Sequence, residues 1–184
     1  TVVGGRPQTD ASRAAASQAL TTKRSEKQIE KMRPVSRAVR SIILYPMNAL
    51  ASDQARRLAR TLWDDERLHG QVTAGLYVGG KGQHGAADRD HLVDRRDVLR
   101  DSPPDILLTN YKMLDFLLLR REDRNLWAAN EPDTLQYLVL DEFHTYDGAQ
   151  GTDVAMLMRR LGATLGTAVP GAPLGAAAPV ATSA

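Results

Sequence analysis

Residues 138–144 have the sequence Leu138-Val139-Leu140-Asp141-Glu142-Phe143-His144. With Tyr137, four apolar residues precede the two carboxylates, which predicts a short strand buried on both faces, as in a parallel sheet covered by helices. In such sheets the ligand crevice lies beyond the carboxyl ends of the strands. Adjacent carboxylates at that place suit magnesium and phosphate chemistry. For this pair taken alone, an ordinary polar loop after a strand is the alternative.

The composition limits the class of protein. The 184 residues are enough for one domain with a sizeable core, and 42% hydrophobic and 25% charged residues are ordinary for a globular protein. No run of about 18 apolar residues predicts a membrane span, and we expect no signal peptide. The sequence has no cysteine, which excludes a disulfide framework and a thiolate metal site. We therefore expect a cytoplasmic protein with no membrane partner.

The net charge of +2 is unevenly distributed. Residues 1–40 contain nine Lys and Arg against three Asp and Glu, a balance of +6, so the remaining residues carry −4. We expect residues 1–38 to form a basic segment, mobile or partly helical over residues 11–32. Such a segment can contact a polyanion, although a solvated tail is the commoner explanation. The chain begins at Thr1, and we expect it to be a piece of a longer protein.

Strand and helix patterns alternate along the rest of the chain. Apolar and β-branched runs predict strands at residues 39–45, 72–78, 105–108, 137–140 and 179–183. Apolar stripes predict helices from residue 48 onward and over residues 88–100, 111–121 and 152–165. Asn48, Thr109 and Asn110 are the predicted helix caps. The alternation predicts an α/β fold, a parallel β-sheet flanked by helices.

Five short stretches occur in a characteristic order. They are Tyr45-Pro46-Met47-Asn48-Ala49-Leu50, Gly79-Gly80, Leu108-Thr109-Asn110-Tyr111, Asp141-Glu142-Phe143-His144 and Thr182-Ser183-Ala184. In this order they resemble motif Ia, the glycine doublet, motif Ib, motif II (the Walker B box) and motif III of one family. Residues 40–184 therefore resemble the first RecA-like motor domain of superfamily 2 helicases, the DEAD/DEAH-box class. Residues 144–161 are similar to bacterial DNA helicases of the Ski2/Lhr/RecQ neighbourhood, which act in repair or in phage defence.

The resemblance implies a partial RecA-like P-loop NTPase domain over residues 39–184, which uses ATP and Mg²⁺. It implies that Asp141 binds the Mg²⁺ and that Glu142 orients the attacking water. His144, with Thr182 and Ser183, would couple the nucleotide state to the nucleic-acid face. Phe143 replaces the usual alanine of the motif.

The resemblance also implies partners: nucleic acid, DNA more than RNA, and a second RecA-like lobe of a parent chain. The implied contacts with the nucleic acid are Pro46, Asn48, Gly79, Gly80, Thr109 and Asn110. Physical chemistry agrees, because free N–H groups at helix starts favour phosphates and glycine permits close approach of the backbone. For the three polar residues of this set, capping alone is the alternative.

The largest departure from the family is the absence of a phosphate loop. Residues 1–40 contain no Gly-x-x-x-x-Gly-Lys-Ser/Thr. The stretch from Gly75 to Lys81 has the spacing, but Gly82 stands where a hydroxyl is needed, and its first residues predict a strand. We expect the loop to lie upstream in a parent protein, or to have been replaced, and this chain alone not to hydrolyse ATP.

Two rival interpretations remain open at this point. One is a non-catalytic RecA-like module that binds nucleic acid or a partner. The other is a metal hydrolase that uses Asp141, Glu142 and His144. Four arginine pairs, by contrast, are typical of solvated helix faces or interdomain contacts. They are Arg56-Arg57, Arg95-Arg96, Arg120-Arg121 and Arg159-Arg160.

Overall fold

The computed structural model describes residues 38–183. The predicted helix over residues 11–32, and all of the expected basic segment up to residue 37, lie outside the described residues. Five strands form one sheet in the order β2-β3-β1-β4-β5, and every neighbouring pair is parallel. The strands are β1 (Ser41–Tyr45), β2 (Ala74–Tyr77), β3 (Ile106–Asn110), β4 (Tyr137–Leu140) and β5 (Ala178–Ala181). The predicted α/β class is confirmed.

The register of the sheet aligns the carboxyl ends of its strands. Tyr45 of β1 lies beside Asn110 of β3, Leu44 lies beside Leu140 of β4, and Leu140 lies beside Ala181 of β5. Because parallel strands all run the same way, the residues that follow them meet along one edge. We call this edge the carboxyl rim.

Four α-helices and two 3₁₀ segments connect the strands. The helices are α1 (Asn48–Asp64), α2 (Arg96–Asp101), α3 (Tyr111–Leu119) and α4 (Gly148–Leu165). The 3₁₀ segments are Arg121–Trp127, after α3, and Phe143–Thr145, after β4. The fourth predicted helix, over residues 152–165, thus begins one turn earlier, at Gly148.

The helix predicted over residues 88–100 is wrong for its first eight residues. Asp88 accepts hydrogen bonds from the main-chain N–H groups of Asp90 and His91, each at 2.8 Å, and Asp94 accepts one from Gln83 at 2.7 Å. Such side-chain bonds compete with the helical pattern. The carbonyl of Val93 accepts instead from the N–H of Leu76, which draws this segment alongside β2.

The two faces of the sheet are covered to different extents. Against one face, α3 and α4 bury a leucine-rich layer: Leu114, Leu117, Leu157, Leu161 and Leu165, with Ile42, Leu107 and Leu138 of the strands. On the other face, α1 packs closely on β1, β2 and β3 through Ala51, Ala55 and Ala59. Small side chains let the helix approach the strands closely, and both layers exclude water from β1 and β3.

The prediction that β4 is buried on both faces is wrong for one face. Leu138 and Leu140 are buried, but Tyr137 is 49% exposed and Val139 is half-buried. Val139 lies beside Ile43 of β1, on the face that α1 covers. Because α1 packs against β1, β2 and β3, its cover does not extend over β4, and all four residues of β5 are exposed.

Candidate nucleotide and nucleic-acid site

An acidic turn follows β4 at the carboxyl rim. The N–H of Asp141 donates to the carbonyl of Leu44 at 2.9 Å, so this residue continues the pairing with β1. Glu142 then adopts a left-handed conformation, with φ 51° and ψ 51°, and is the single non-glycine residue with positive φ in the described part of the chain. Both carboxylates are half-buried. The turn interrupts the strand and keeps both acidic side chains at the rim.

The residues that follow β4 and those that follow β5 are joined by three contacts. The N–H of Phe143 donates to the carbonyl of Thr182 at 2.8 Å, and the Thr182 hydroxyl donates to Oδ1 of Asp141. His144 Nδ1 lies 3.0 Å from the Ser183 hydroxyl and 3.4 Å from a carboxylate oxygen of Glu142. The structure therefore brings together the residues predicted for metal binding, water orientation and coupling.

A second group of predicted residues meets on the same rim beyond β1, β2 and β3. The Asn110 amide nitrogen donates to the Asn48 amide oxygen at 2.5 Å, while the Asn110 oxygen accepts from the N–H of Met113 at 2.8 Å. A Cβ on Gly79 would stand 3.3 Å from the Asn48 amide nitrogen. Asn48, Gly79 and Asn110, which come from three separate segments, thus form one polar surface.

Two of the predicted caps need correction. Met47 occupies the N-cap position of α1, and no side chain caps this helix, so Asn48 is its first residue and turns to Asn110 instead. Thr109 is fully buried, and its hydroxyl donates to the Tyr77 carbonyl at 2.6 Å. Thr109 therefore ties β3 to β2 rather than capping α3, and its hydroxyl is not available to a phosphate.

The remaining predicted positions flank this polar surface. Pro46 is half-buried between β1 and α1, and Gly80 is exposed, with φ +102°. An L side chain rarely adopts that conformation, so glycine suits the turn at this position. The stretch that matches the phosphate-loop spacing begins inside β2, and a Cβ on Gly75 would lie 2.4 Å from Leu99, so it is part of the packed sheet.

Two tyrosines that the sequence analysis did not single out flank the acidic turn. Tyr146 donates to the carbonyl of Leu44 at 3.4 Å, the same carbonyl that accepts from Asp141, and its ring meets the edge of Tyr111 at 6.3 Å. Burial, and then the negative charge of Asp141, raises the pKa of Tyr146 to about 12. The same two causes raise the pKa of Tyr45 to about 12. The available signal was that Tyr45 ends β1 and that Tyr146 comes two residues after His144.

A buried charged network includes the last residue of β2, and the sequence analysis did not predict it. Asp123 is 0% exposed, and its Oδ1 accepts from the Tyr77 hydroxyl at 2.8 Å and from Arg100 Nε at 2.6 Å. Burial, and then the hydrogen bond to Asp123, raises the pKa of Tyr77. Asp123 lies in a polar, charged stretch of sequence that carries no apolar period, so nothing there indicates burial.

The oxygen donors at the acidic turn fit a magnesium ion. Mg²⁺ is held in proteins by one or two carboxylates together with water and phosphate oxygens. Asp141 supplies one carboxylate, and Glu142 and the Thr182 hydroxyl lie beside it. Within residues 38–183, no group of three or more His, Asp or Glu side chains is arranged to hold a metal ion by itself.

No helix in this described range is long and apolar enough to cross a membrane.

The parallel sheet and its acidic rim define a RecA-like domain, the class of the solved helicases that it resembles. A model of the DEAD/DEAH box helicase family matches residues 14–176, and the chain belongs to that family.

The chain is also similar to three individual proteins. Druantia protein DruE of Escherichia coli (strain UMEA 4076-1) is 41% identical over 82 residues, 41% of this chain and 4% of that protein. Lhr helicase/uracil glycosylase of E. coli (strain K12) is 30% identical over 133 residues, 69% of this chain and 8% of that protein. The crystal structure of the DUF1998 helicase MrfA bound to DNA and AMPPNP is 27% identical, with a TM-score of 0.52, over 79% of this chain and 17% of that one.

These matches confirm the predicted family and its Lhr-like neighbourhood. The chain spans less than a fifth of the length of the three relatives.

Proposed function

We propose that this chain is part of an ATP-dependent nucleic-acid helicase or translocase, and that its nucleic acid is DNA rather than RNA. In this proposal residues 39–184 are part of the ATP-binding domain and residues 1–38 a separate basic segment. The observation that carries the proposal is that one rim of the sheet holds both the Asp141-Glu142 turn and the Asn48-Gly79-Asn110 surface. The relative MrfA, solved with DNA and AMPPNP, supports both ligands.

The proposed roles at the acidic turn follow from its geometry. When bound, Mg²⁺ would bring the charge that neutralises the phosphates of ATP, and Asp141 is the carboxylate that would hold it. Glu142 orients the attacking water and accepts its proton, since its carboxylate stands next in the turn. The Thr182 hydroxyl donates to Asp141, and the Ser183 hydroxyl lies beside His144, so the residues that follow β5 respond to changes at the turn.

The proposed strand contacts lie on the neighbouring part of the rim. The second amide hydrogen of Asn110, the Asn48 amide nitrogen and the main chain at Gly79-Gly80 are the donors offered to phosphate and sugar. Pro46 supports this surface, while Thr109 holds β3 against β2 beneath it. A second RecA-like lobe of the parent chain would close over the nucleotide.

A second function, a RecA-like module that binds nucleic acid without hydrolysis, is supported by one specific observation. The 184 residues contain no Gly-x-x-x-x-Gly-Lys-Ser/Thr. A catalytic parent chain requires such a loop elsewhere in its sequence, whereas the binding module does not.

The experiment is ATP hydrolysis by the full-length protein that contains this domain, with and without single-stranded DNA. We expect DNA to stimulate hydrolysis and Glu142→Gln to lower kcat by about a hundredfold or more, the usual size of a general-base contribution. Glu131→Gln, an exposed carboxylate before β4, is the matched control and is expected to leave kcat unchanged. Equal turnover in the Glu142→Gln variant would refute the assigned role, and DNA binding without any hydrolysis would favour the binding module.

A further inference from the structure

Arg96, the first residue of α2, is bonded to the main chain of the glycine doublet. Its Nη2 donates to the carbonyl of Gly80 at 2.8 Å and to that of Val78 at 3.3 Å. Its guanidinium carbon lies 5.4 Å from the centre of the Tyr77 ring, within the range of a cation–π contact. One side chain therefore fastens the residues on both sides of Gly79.

This contact determines where the doublet lies. Gly80 has φ +102° and no heavy atom within 4 Å of its Cβ position, so its own packing does not fix it. Gly79, in contrast, stands against the Asn48 amide. Because two successive glycines are the most freely rotating part of a chain, an external donor is needed to hold them in one conformation. Arg96 is thus a positioning residue for the polar surface on the rim.

Arg96 retains donors that the fold does not use. Arginine has five N–H donors. Within residues 38–183, Nη2 of Arg96 makes hydrogen bonds, whereas its Nε and Nη1 make none, so Nη1 can donate to a phosphate. No carboxylate of residues 38–183 pairs with it, and the side chain is half-buried. The adjacent Arg95 differs, because its Nε and Nη2 are both bonded to Asp97.

We propose that Arg96 binds a backbone phosphate of the nucleic-acid strand through Nη1 while Nη2 holds the glycine doublet. The inference rests on the proposed function, since it assumes a strand on this rim. It adds a charged contact to a surface that otherwise offers amide and main-chain donors. The chemistry is that of a phosphodiester, which DNA and RNA share.

The test measures binding of the full-length protein to fluorescent single-stranded DNA and RNA oligomers of one sequence over a range of salt concentrations. Each phosphate contact contributes about 0.7 to the slope of log K against log salt concentration for single strands. We expect Arg96→Gln to reduce that slope by about 0.7 and to weaken binding about tenfold at low salt, as for loss of a charged hydrogen bond. Arg96→Lys keeps the charge, so its slope is expected to stay near that of the parent.

Arg95→Gln is the matched control, since the same charge is removed one residue away, and it is expected to leave the slope unchanged. An unchanged slope in Arg96→Gln, an equal loss in Arg95→Gln, or an equal loss in Arg96→Lys would each overturn the inference. A parent protein that binds neither oligomer would instead refute the proposed function, and the inference with it.

A second measurement needs no variant and so does not depend on the folding of a mutant. Phenylglyoxal modifies accessible arginines, and peptide mass spectrometry locates the modified residue. In the unaltered full-length protein, we expect the bound oligomer to protect Arg96 several-fold and to leave Arg95 reactive. Equal reactivity of Arg96 with and without a bound oligomer would refute the phosphate contact.

Discussion

Glu142 has a backbone conformation that is costly for an L residue. A left-handed φ and ψ near 51° costs about 1 kcal/mol or more for a residue other than glycine. Here the conformation is fixed from both sides, by the bond from Asp141 to Leu44 and by the bond from Phe143 to Thr182. The strain ends β4 and leaves the carboxylate beside His144 instead of along the strand.

The tyrosines beneath the acidic turn predict a loss of stability at alkaline pH. The pKa of Tyr146 is about 12 in the folded protein against 10.0 for an ordinary phenol. The folded protein therefore holds the proton in a range where the unfolded chain releases it. This contribution is complete below pH 10 and is lost as the pH rises from 10 to about 12. Two pKa units correspond to a loss on the order of 3 kcal/mol.

Denaturant unfolding measured across that range checks the prediction. Tyr146→Phe removes the ionisable group, so the free energy of unfolding is expected to fall less steeply with pH. Tyr137→Phe, which alters an exposed phenol, serves as the comparison and is expected to behave like the parent. Identical slopes in the parent and in Tyr146→Phe would contradict the assignment.

At the scale of elements, the network of Asp123, Arg100 and Tyr77 joins three separate segments. Asp123 belongs to the 3₁₀ segment after α3, Arg100 to α2 and Tyr77 to β2. Arg100 bonds both other members, and Oδ2 of Asp123 is buried without a hydrogen-bond partner. Tyr77 directly precedes residues 78–80, which Arg96 holds. This network therefore helps to fix the position of that part of the carboxyl rim.

We expect Asp123→Ala to lower the free energy of unfolding by about 1.5 to 3 kcal/mol, because Tyr77 and the half-buried Arg100 lose their hydrogen bonds to a fully buried carboxylate. Glu122→Ala is a matched control: it removes the other carboxylate bonded to Arg100, at 3.1 Å, but this one is 60% exposed. An exposed pair contributes about 0 to 1 kcal/mol, so its midpoint should hardly move. Chemical denaturation curves give both values, and similar midpoints for the two variants would disprove a special role of the buried pair.

At the scale of the whole molecule, the sequence predicted the sheet and the rim because both depend on local patterns. A run of apolar residues followed by Asp141 or by Asn110 is readable along the chain, and the parallel arrangement then places both at one edge. The Asp88–Asp94 stretch was mispredicted because its aspartates bond the main chain rather than water. The burial of Thr109 follows from the strand continuing two residues beyond its predicted end.

Contacts between distant segments could not be predicted in this way. Arg96 and Gly80 are brought together by the bend at residues 82–95, and Asp123 meets Tyr77 across 46 positions of sequence. Neither contact has a period or a motif. The exposure of one face of β4 could likewise not be predicted from the sequence, because it depends on which strands α1 packs against.

Because the carboxyl ends of the strands are aligned along one rim, the turns at the opposite edge of the sheet are free to vary in length. Apart from Arg96 of α2, every proposed ligand contact lies at or just after the carboxyl end of a strand, so the turns that come before the strands can be lengthened without disturbing catalysis. A short Gly-Ser insertion between the exposed residues Pro132 and Asp133, ahead of β4, is expected to keep DNA-stimulated hydrolysis within about twofold of the parent. The same insertion between Gly80 and Lys81, at the carboxyl rim, should abolish the stimulation by DNA. Steady-state kinetics of the two proteins would show whether the rim is less tolerant of insertions than the opposite edge of the sheet.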